Sequence, residues 1–237
     1  MKIALLGYGK MGKMIEELAQ ERGHHIVLRH NGASFIKDFM GAEVAIDFST
    51  PQSAVQNICS AFLNGIPVVS GTTGWLDQMS EVVSSCMGNH TAFIYASNFS
   101  LGVNLFFNLN KKLAAIMAPH GYKISLEETH HTEKLDAPSG TAISLAEDIM
   151  PFTHSNDWAL EGNKTKSVTN ALRIKSKRVG NTPGTHSVSY KSEEDCIEII
   201  HTALNRKGFA IGAIVAAEWI KNKKGVFSMS DVLALQP

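Results

Sequence analysis

One stretch of the chain concentrates groups that can move protons near neutral pH. Residues 127–141 read Glu-Glu-Thr-His-His-Thr-Glu-Lys-Leu-Asp-Ala-Pro-Ser-Gly-Thr, which places His130, His131 and Lys134 close together. Imidazole and ammonium groups act as proton donors and acceptors in catalysis. The final residues, Pro-Ser-Gly-Thr, predict the start of a helix whose backbone amides can receive a carboxylate. A lysine beside such a helix start is suited to binding a dianionic substrate.

This stretch also has two other interpretations, a metal site and an exposed polar loop with incidental histidines. Metal binding is disfavoured because adjacent histidines point in opposite directions on a strand, and the chain contains no His-x-His or His-Glu-x-x-His pattern. We therefore expect no metal. The exposed-loop interpretation stays open at this point.

A second candidate site is a glycine motif at the start of the chain. Residues 7–12 read Gly-Tyr-Gly-Lys-Met-Gly, directly after the apolar run Lys2–Leu6 and at the opening of the helical pattern Met11–Arg22. In this arrangement the first glycine makes a tight turn, the second admits a pyrophosphate, and the third lets helix and strand pack closely. The motif predicts dinucleotide binding, with a purely structural turn as the alternative.

Three other segments bear on how a nucleotide would bind. Asp47–Pro51 and Gly71–Gly74 each follow a predicted strand, where the carboxyl edge of a parallel sheet binds ligands. The second strand ends Leu-Arg-His-Asn at residues 28–31, without the acid that usually holds the ribose hydroxyls. Arg29 can instead bind a 2′-phosphate, which would favour NADPH, or can be a solvated strand end.

The elements that must position these groups change in character along the chain. Up to about residue 100, short apolar strands alternate with helices, which predicts βαβ units and a parallel sheet. Beyond it, a long helix and strands of alternating polarity predict a mixed or antiparallel sheet. The expected fold class is α/β, with a Rossmann-like parallel-sheet domain plus a smaller α+β domain. We expect residues 1–100, completed by 209–237, to bind the dinucleotide and 101–208 to bind the substrate.

Three finer expectations follow from the same pattern. The apolar helix near residues 209–221 should cover the first sheet, because a doubly wound sheet needs both faces buried. The crossover over residues 31–43 is too short for a full helix with loops. Residues 156–169 are the least patterned part of the chain and predict an exposed loop.

The bulk composition excludes several classes of protein. Of the 237 residues 44% are hydrophobic, and 22 Lys+Arg balance 22 Asp+Glu, which argues against binding to nucleic acid or a membrane surface. The basic group Arg173, Lys175, Lys177 and Arg178 is therefore interpreted as a solvated sheet face or a subunit contact. Three scattered cysteines and the lack of a long apolar segment predict a cytoplasmic protein.

Residues 128–142 resemble the signature of the 4-hydroxy-tetrahydrodipicolinate reductase family, also called dihydrodipicolinate reductase. That signature, Glu-x-His-His-x-x-Lys-x-Asp-Ala-Pro-Ser-Gly-Thr-Ala, is matched at every fixed position. The resemblance also covers the glycine motif, the two sheet-edge loops and residues 97–104, 178–180 and 184–186. It implies hydride transfer from NADH or NADPH to the cyclic imine dicarboxylate derived from 4-hydroxy-tetrahydrodipicolinate, in lysine and diaminopimelate biosynthesis.

The resemblance further implies roles for individual residues. His130 and Lys134 would be catalytic, and His131, Gly140 and Thr141 would bind the substrate. The cofactor residues would be Gly7, Tyr8, Gly9, Lys10, Met11, Gly12, Gly71, Thr72, Thr73, Ser97, Asn98, Phe99 and Ser100, with Arg29 added from the strand-end argument. Ser97 stands where the family usually has alanine. The family is usually tetrameric through its substrate-domain sheet, so a homotetramer is expected.

Two alternatives differ in what they require of the chain. Another small NAD(P)-dependent Rossmann reductase would share the glycine motif but would have no reason to carry the His-His–Lys arrangement before a helix start. A catalytically inactive nucleotide-sensing protein would have no reason to keep His130 and Lys134.

Overall fold

The computed structural model describes residues 1–32, 34–162 and 170–235. The chain divides into two compact units, Met1–Leu101 with Lys207–Pro237, and Gly102–Arg206. None of the described helices is long and apolar enough to cross a membrane. The three cysteines are free.

The first unit is built on a six-stranded sheet in which every neighbouring pair of strands is parallel. Its strands are β1 (Lys2–Leu6), β2 (His25–His30), β3 (Val44–Asp47), β4 (Val68–Ser70), β5 (Ala92–Tyr95) and β11 (Gly225–Phe227). Their order across the sheet is β2-β1-β3-β4-β5-β11. The order therefore reverses at β1, and the crevice outside the carboxyl ends of β1 and β3 is where such sheets bind ligands.

Five helices accompany this sheet and bury both of its faces. They are α1 (Lys10–Glu21), α2 (Pro51–Leu63), α3 (Met79–Gly88), α6 (Lys207–Ile220) and α7 (Met229–Val232). Successive side chains of a strand point to opposite faces, and those of β1 divide accordingly between two buried clusters. Ile3 and Leu5 pack with α1 and α6, whereas Ala4 and Leu6 pack with α2 and α3. The helix expected near residues 209–221 is α6, and it lies on the sheet of the first unit.

Small residues let α6 lie close to the rest of the first unit. Ala210, Ala213 and Ala217 are fully buried on it. A Cβ atom on Gly212 would lie 1.7 Å from the carbonyl oxygen of Phe99, in the segment after β5. No side chain fits in that space, so glycine at position 212 is required by the close approach of two backbones.

The second unit contains a five-stranded mixed sheet. Its strands are β6 (Lys123–His130), β7 (Asp157–Leu160), β8 (Ala171–Arg178), β9 (Thr185–Lys191) and β10 (Cys196–Thr202), in the order β10-β9-β6-β8-β7. The pairs β6–β8 and β7–β8 are parallel, and β6–β9 and β9–β10 are antiparallel. Two helices, α4 (Leu101–Met117) and α5 (Gly140–Ile149), pack on one face of this sheet. Short 3-10 turns lie at Leu76–Gln78, Ala118–His120 and Met150–Phe152.

The structure confirms the expected fold class and the short crossover, and it corrects one local prediction. No helix occurs among the described residues between β2 and β3. The exposed loop expected over residues 156–169 is wrong for its first part, because Asp157–Leu160 forms β7. This edge strand has four residues, of which only Ala159 is fully buried, so it leaves little hydrophobic pattern in the sequence. Residues 163–169 lie outside the described residues.

Two glycines of α6 give a matched test of the close approach. We expect Gly212→Ala to lower the free energy of unfolding by about 1–3 kcal/mol, because its Cβ atom would push α6 away from Phe99. The control is Gly208→Ala in the same helix, where a Cβ atom would meet only the Ser100 hydroxyl at 3.6 Å. We expect that variant to change stability by less than about 1 kcal/mol. Urea unfolding of the full chain measures both, and equal losses would contradict the packing argument.

Candidate active site

The three glycines of the first motif have distinct surroundings at the end of β1. Gly7 has φ +94°, and a Cβ atom there would lie 2.1 Å from the Phe48 carbonyl oxygen. A Cβ atom on Gly12 would lie 2.3 Å from the Gly7 carbonyl oxygen. At Gly9, by contrast, a Cβ atom would meet nothing within 4 Å. Gly7 and Gly12 are thus required by packing, while Gly9 leaves open backbone beside which a pyrophosphate fits.

The start of α1 is suited to an anion. Gly9 is the N-cap residue, no side chain caps the helix, and its first turn contains no acid. The first backbone amides of a helix have no partner within the helix, and the helix dipole makes this end positive. These features, together with the open backbone at Gly9, fit the pyrophosphate of a dinucleotide.

Three loops at the carboxyl edge of the sheet surround one cleft of about 370 Å³. The loops follow β1, β3 and β4, the strands on either side of the point where the strand order reverses. The residues lining the cleft are Gly9, Lys10, Met11, Phe48, Ser49, Pro51, Gly71, Thr72 and Thr73. Six of them were assigned to the cofactor from the sequence. The other three, Phe48, Ser49 and Pro51, belong to a loop that was placed at this edge but whose residues were not assigned.

A buried carboxylate ties two of these loops together. Asp47 is fully buried at the end of β3, and it accepts hydrogen bonds from the hydroxyls of Ser49 at 2.6 Å and Ser70 at 2.7 Å. Burial raises the pKa of Asp47, and these hydroxyls partly oppose that rise. The Ser49 amide donates to the Thr72 hydroxyl at 2.8 Å, and the Trp75 indole donates to the Thr72 carbonyl at 2.6 Å. The cleft is therefore held in shape by side-chain bonds.

Residues 97–100 do not line this cleft. They follow β5, where the Ser100 amide donates to the Asn98 side chain at 2.9 Å. Phe99 is buried, and its ring packs against the ring of Phe48 with 5.9 Å between centroids. Phe99 therefore supports the lining of the cleft indirectly, by packing against Phe48. Ser97, Asn98 and Ser100 lie at the same edge of the sheet.

Arg29 also lies outside the lining of the cleft, and its side chain pairs with Glu16 of α1. Its Nε donates to Glu16 Oε2 at 2.9 Å, and its Nη2 donates to Oε1. The Tyr8 hydroxyl donates to the same carboxylate, and the guanidinium lies 5.8 Å from the centre of the Tyr8 ring. The hydrogen bond with Glu16 raises the pKa of Arg29, and the hydrogen bond with Arg29 lowers the pKa of Glu16. The backbone amide of Tyr8 donates to Asn31 at 2.6 Å, which anchors the motif to the end of β2.

In the second unit, His130 is the last residue of β6 and lies among other polar side chains. Its ring packs edge-to-face against that of His186 on β9, with 5.1 Å between centroids. Its Nδ1 lies 3.3 Å from Glu128 Oε2 and has no well-aligned hydrogen-bond partner. On the other side of the ring, Gly184 comes close to Nε2, since a Cβ atom there would be only 3.0 Å away. Nε2 is thus the ring nitrogen that does not face Glu128, and a side chain at position 184 would crowd it.

Glu128 is a fully buried carboxylate that faces this histidine. It accepts the Ser139 amide at 3.2 and 3.1 Å, and the Arg178 guanidinium lies at 3.4 Å. Burial by itself raises the pKa of Glu128, but the polar groups of His130, Ser139 and Ser176 around the carboxylate outweigh burial and hold the pKa well below its usual range. An ionised carboxylate therefore faces the imidazole of His130 at 3.3 Å.

Ser139 connects this carboxylate to the start of α5. Its hydroxyl accepts the Ala142 amide at 3.2 Å, which caps the helix, and lies 3.1 Å from His186 Nε2. Burial lowers the pKa of His186 to about 4, and the neighbouring His130 lowers it as well. His186 is therefore uncharged at neutral pH, and its Nε2 can accept the proton of the Ser139 hydroxyl. The exposed Gly140 then opens the helix.

Lys134 lies on the loop between β6 and α5, beside Asp136. Its Nζ contacts both carboxylate oxygens of Asp136 at 2.7 Å, and this hydrogen bond lowers the pKa of Asp136. The Arg178 guanidinium binds the backbone of this loop. It donates to the Lys134 carbonyl at 3.2 Å and to the Asp136 carbonyl at 2.5 Å. The carbonyl of His131 accepts the Lys134 amide at 3.2 Å. His130, His131, Lys134, Gly140 and Thr141 are thus all carried by one segment, β6 to α5.

The donor atoms of Glu128, His130 and His186 lie within 4.8 Å of one another, and among the described residues this is the group of side chains that could hold a metal. Both oxygens of Glu128 already accept the Ser139 amide, and one also faces Arg178. These contacts account for the position of the carboxylate without a cation.

The basic residues of β8 divide between the two faces of the sheet. Lys175 and Lys177 pair with Glu127 on the face opposite to α4 and α5. Arg178 instead points to the face that carries Glu128 and His130. The interpretation of these cations as one solvated face or subunit contact is wrong for Arg178, which contacts Glu128. Strand alternation from Ile174, a core residue, was the available signal, because even-numbered residues of β8 share its face.

A doubly wound sheet with a glycine motif at its strand-order reversal, together with acid–base side chains on a second unit, defines a nucleotide-dependent oxidoreductase. Models of the dihydrodipicolinate reductase N-terminus and C-terminus match residues 23–99 and 102–233. The chain therefore belongs to the dihydrodipicolinate reductase family.

Individual relatives agree with this assignment. A 4-hydroxy-tetrahydrodipicolinate reductase of Christiangramia forsetii is 50% identical over 99% of this chain and 98% of its own length. The enzyme of the same name from Rickettsia bellii is 35% identical over 94% of this chain and 90% of its own length. The solved structure of a dipicolinate-bound dihydrodipicolinate reductase from Paenisporosarcina sp. TG-14 has the same fold, with a TM-score of 0.76 and 21% identity over 96% of this chain and 97% of that one.

Acid should destabilise the second unit through His186. Its pKa is about 4 when folded against an ordinary value of 6.5, so between these pH values the unfolded chain binds a proton that the folded chain does not. The contribution of His186 to the free energy of unfolding is therefore fully present above pH 6.5. It is lost as the pH drops toward 4, and the loss is at most about 3 kcal/mol. The charges of His130, Glu128, His201 and Lys134 also affect the pKa of His186, and the Ser139 hydroxyl contacts its ring.

Urea unfolding at stepped pH measures this effect. We expect His186→Asn to flatten the dependence between pH 6.5 and 4, whereas His120→Asn, at an exposed histidine, should leave it unchanged. Equal slopes in the wild type and His186→Asn would show that other groups cause the acid sensitivity.

Proposed function

We propose that this chain reduces the cyclic imine dicarboxylate derived from 4-hydroxy-tetrahydrodipicolinate to tetrahydrodipicolinate, in lysine and diaminopimelate biosynthesis. The observation that carries the proposal is the β6–α5 segment. It places His130 against a buried carboxylate and Lys134 on the loop that leads to the start of α5. Membership in the reductase family supports the choice of reaction.

The cofactor is NADH or NADPH, which supplies hydride when it is bound. Gly7, Gly9, Lys10, Met11 and Gly12 would hold its pyrophosphate at the start of α1. The loops Phe48–Pro51 and Gly71–Thr73 would enclose it on the other side, with Ser97, Asn98, Phe99 and Ser100 at the same edge of the sheet. Tyr8 and Arg29 would lie toward its adenosine end, at the end of β2.

The substrate is a dianion, and the second unit offers matching positive groups. The amides of Gly140 and Thr141 at the start of α5 would bind one carboxylate, and His131 would contact the substrate beside it. Lys134 can leave Asp136, which is exposed, for a carboxylate or for the ring of the substrate. This exchange replaces one ion pair by another and so leaves no buried charge unpaired.

His130 and Lys134 would serve the proton transfer. As hydride reaches the substrate ring, negative charge develops on the enamine, and a cation beside it lowers the barrier. The Glu128 carboxylate lies 3.3 Å from Nδ1 of His130, which leaves Nε2 as the ring nitrogen that does not face the carboxylate. We propose that His130 donates its proton from Nε2 to the ring carbon, while Lys134 offsets the charge.

We also propose that the protein is a homotetramer that acts in the cytoplasm. The sheet face opposite to α4 and α5 supports an interface, since it carries paired serines, Ser125 and Ser189, and ion-paired lysines instead of a covering helix in the described residues. A sedimentation mass near four times 25.8 kDa would support the tetramer, and a monomer mass would contradict it. The free cysteines suit a reducing compartment.

A coupled assay tests the reaction directly. Substrate is generated in place by the synthase that precedes this step, and the purified chain is added with NADH or NADPH in separate runs. We expect loss of absorbance at 340 nm that depends on both the synthase and this chain. If neither nucleotide is consumed while a known reductase of the family is active in the same mixture, the proposed reaction is wrong.

Substitution of Lys134 tests the mechanism. We expect Lys134→Ala to lower kcat and kcat/KM together by about 10²–10⁴-fold, because the ammonium acts mainly in the transition state. Nucleotide affinity should stay within about twofold, because Lys134 lies on the second unit and not on the glycine motif. The control is Lys112→Ala at an exposed position of α4. A near-normal kcat with a raised KM would instead make Lys134 a carboxylate anchor.

A further inference from the structure

The end of β2 in this chain differs from the usual arrangement for reading the adenosine ribose. Doubly wound nucleotide domains commonly place an acid there for the 2′-hydroxyl, or an arginine for the 2′-phosphate. Here the position offers Arg29, and the nearest carboxylate comes from Glu16 on α1. The two groups are paired with each other, so neither is free to read the ribose in the usual way.

The Glu16 carboxylate has no capacity left for a ribose hydroxyl. It receives two hydrogen bonds from Arg29, one from the Tyr8 hydroxyl and one from Gln20 Nε2 at 3.1 Å. A carboxylate has about four lone-pair sites, and these four donors occupy them. The Glu16 side chain is also only 12% exposed, whereas that of Arg29 is 40% exposed. The carboxylate is therefore a support for the cation and not a ligand for the cofactor.

Arg29, in turn, is held in place and electrically balanced. Two nitrogen atoms of its guanidinium, Nε and Nη2, donate to Glu16, and the guanidinium lies 5.8 Å from the centre of the Tyr8 ring in the glycine motif. A 2′-phosphate carries nearly two negative charges at neutral pH. It would meet a guanidinium whose charge is already offset by a carboxylate in direct contact. The uncharged 2′-hydroxyl of NADH is insensitive to that balance.

We propose that Glu16 sets the preference between NADPH and NADH by restraining Arg29. Glu16 is a positioning residue in this role, since it acts on the nucleotide through the guanidinium. The inference rests on the proposed use of a nicotinamide dinucleotide. It assigns to a residue of α1 a control over cofactor choice that is usually exerted from the end of β2.

Equilibrium binding of the two nucleotides to the full chain tests the proposal without turnover. Dissociation constants for NADPH and NADH are measured by nucleotide fluorescence on the wild type, Glu16→Gln, Arg29→Gln and the double variant. We expect Glu16→Gln to tighten NADPH by about tenfold and to change NADH by less than about twofold. In the Arg29→Gln background the same substitution should have a clearly smaller effect on NADPH, because the cation that it releases is absent.

Controls separate this effect from a general change of charge or fold. Glu17→Gln removes one negative charge from an exposed position of the same helix and should leave both constants unchanged. Circular dichroism checks that the variants fold, and Glu16→Met replaces Glu16→Gln if the latter does not.

Each outcome decides between clear alternatives. An unchanged NADPH-to-NADH ratio in Glu16→Gln overturns the proposal. An equal gain for NADPH with and without Arg29 overturns it too, because Glu16 would then act on the phosphate directly. If the wild type binds neither nucleotide, the proposed function itself has failed.

Discussion

The site in the second unit depends on the ionised carboxylate of Glu128, which is fully buried and therefore needs compensation from every side. The Ser139 amide, the Arg178 guanidinium and the His130 ring supply that compensation. Each of these partners is thereby fixed in position. Ser139 is fixed at the N-cap of α5, and Arg178 is fixed against the backbone of the Lys134 loop. His130 is fixed with Nδ1 toward the carboxylate, so that Nε2 faces away from it. Removing the charge would release all three at once, since they share one acceptor.

The first unit depends on a different constraint, the close approach of backbones. At the end of β1, the Gly7 position lies against the Phe48 carbonyl, and at Gly212 the helix α6 lies against the Phe99 carbonyl. Both contacts are possible only without a Cβ atom. They bring the glycine loop next to the β3 loop and bury the sheet under α6, and the cleft takes its shape from these approaches together with the bonds of Asp47.

The two units thus differ in the groups that they present to a charged ligand. The first unit presents backbone amides at the start of α1, without a side-chain cap. The second unit surrounds one buried anion with groups that can become cationic or already are. Loss of a single methyl-sized space disrupts the first arrangement, whereas loss of a single charge disrupts the second. This difference fits the proposed roles, in which the first unit binds an extended diphosphate and the second binds a ring that gains charge during the reaction.

The sequence by itself determined the class of fold, the glycine motif and the residues of the β6–α5 segment, because these depend on local periodicity and on neighbours along the chain. It did not reveal β7, whose short edge position leaves no hydrophobic alternation, or β11, which extends the first sheet from the far end of the chain. The pairing of Glu16 with Arg29 and the gathering of His186 and Arg178 around Glu128 were decided only by tertiary structure. Such contacts join residues that are distant along the chain. They depend on which strands become neighbours and which face each side chain takes, and no local pattern of residue types specifies that.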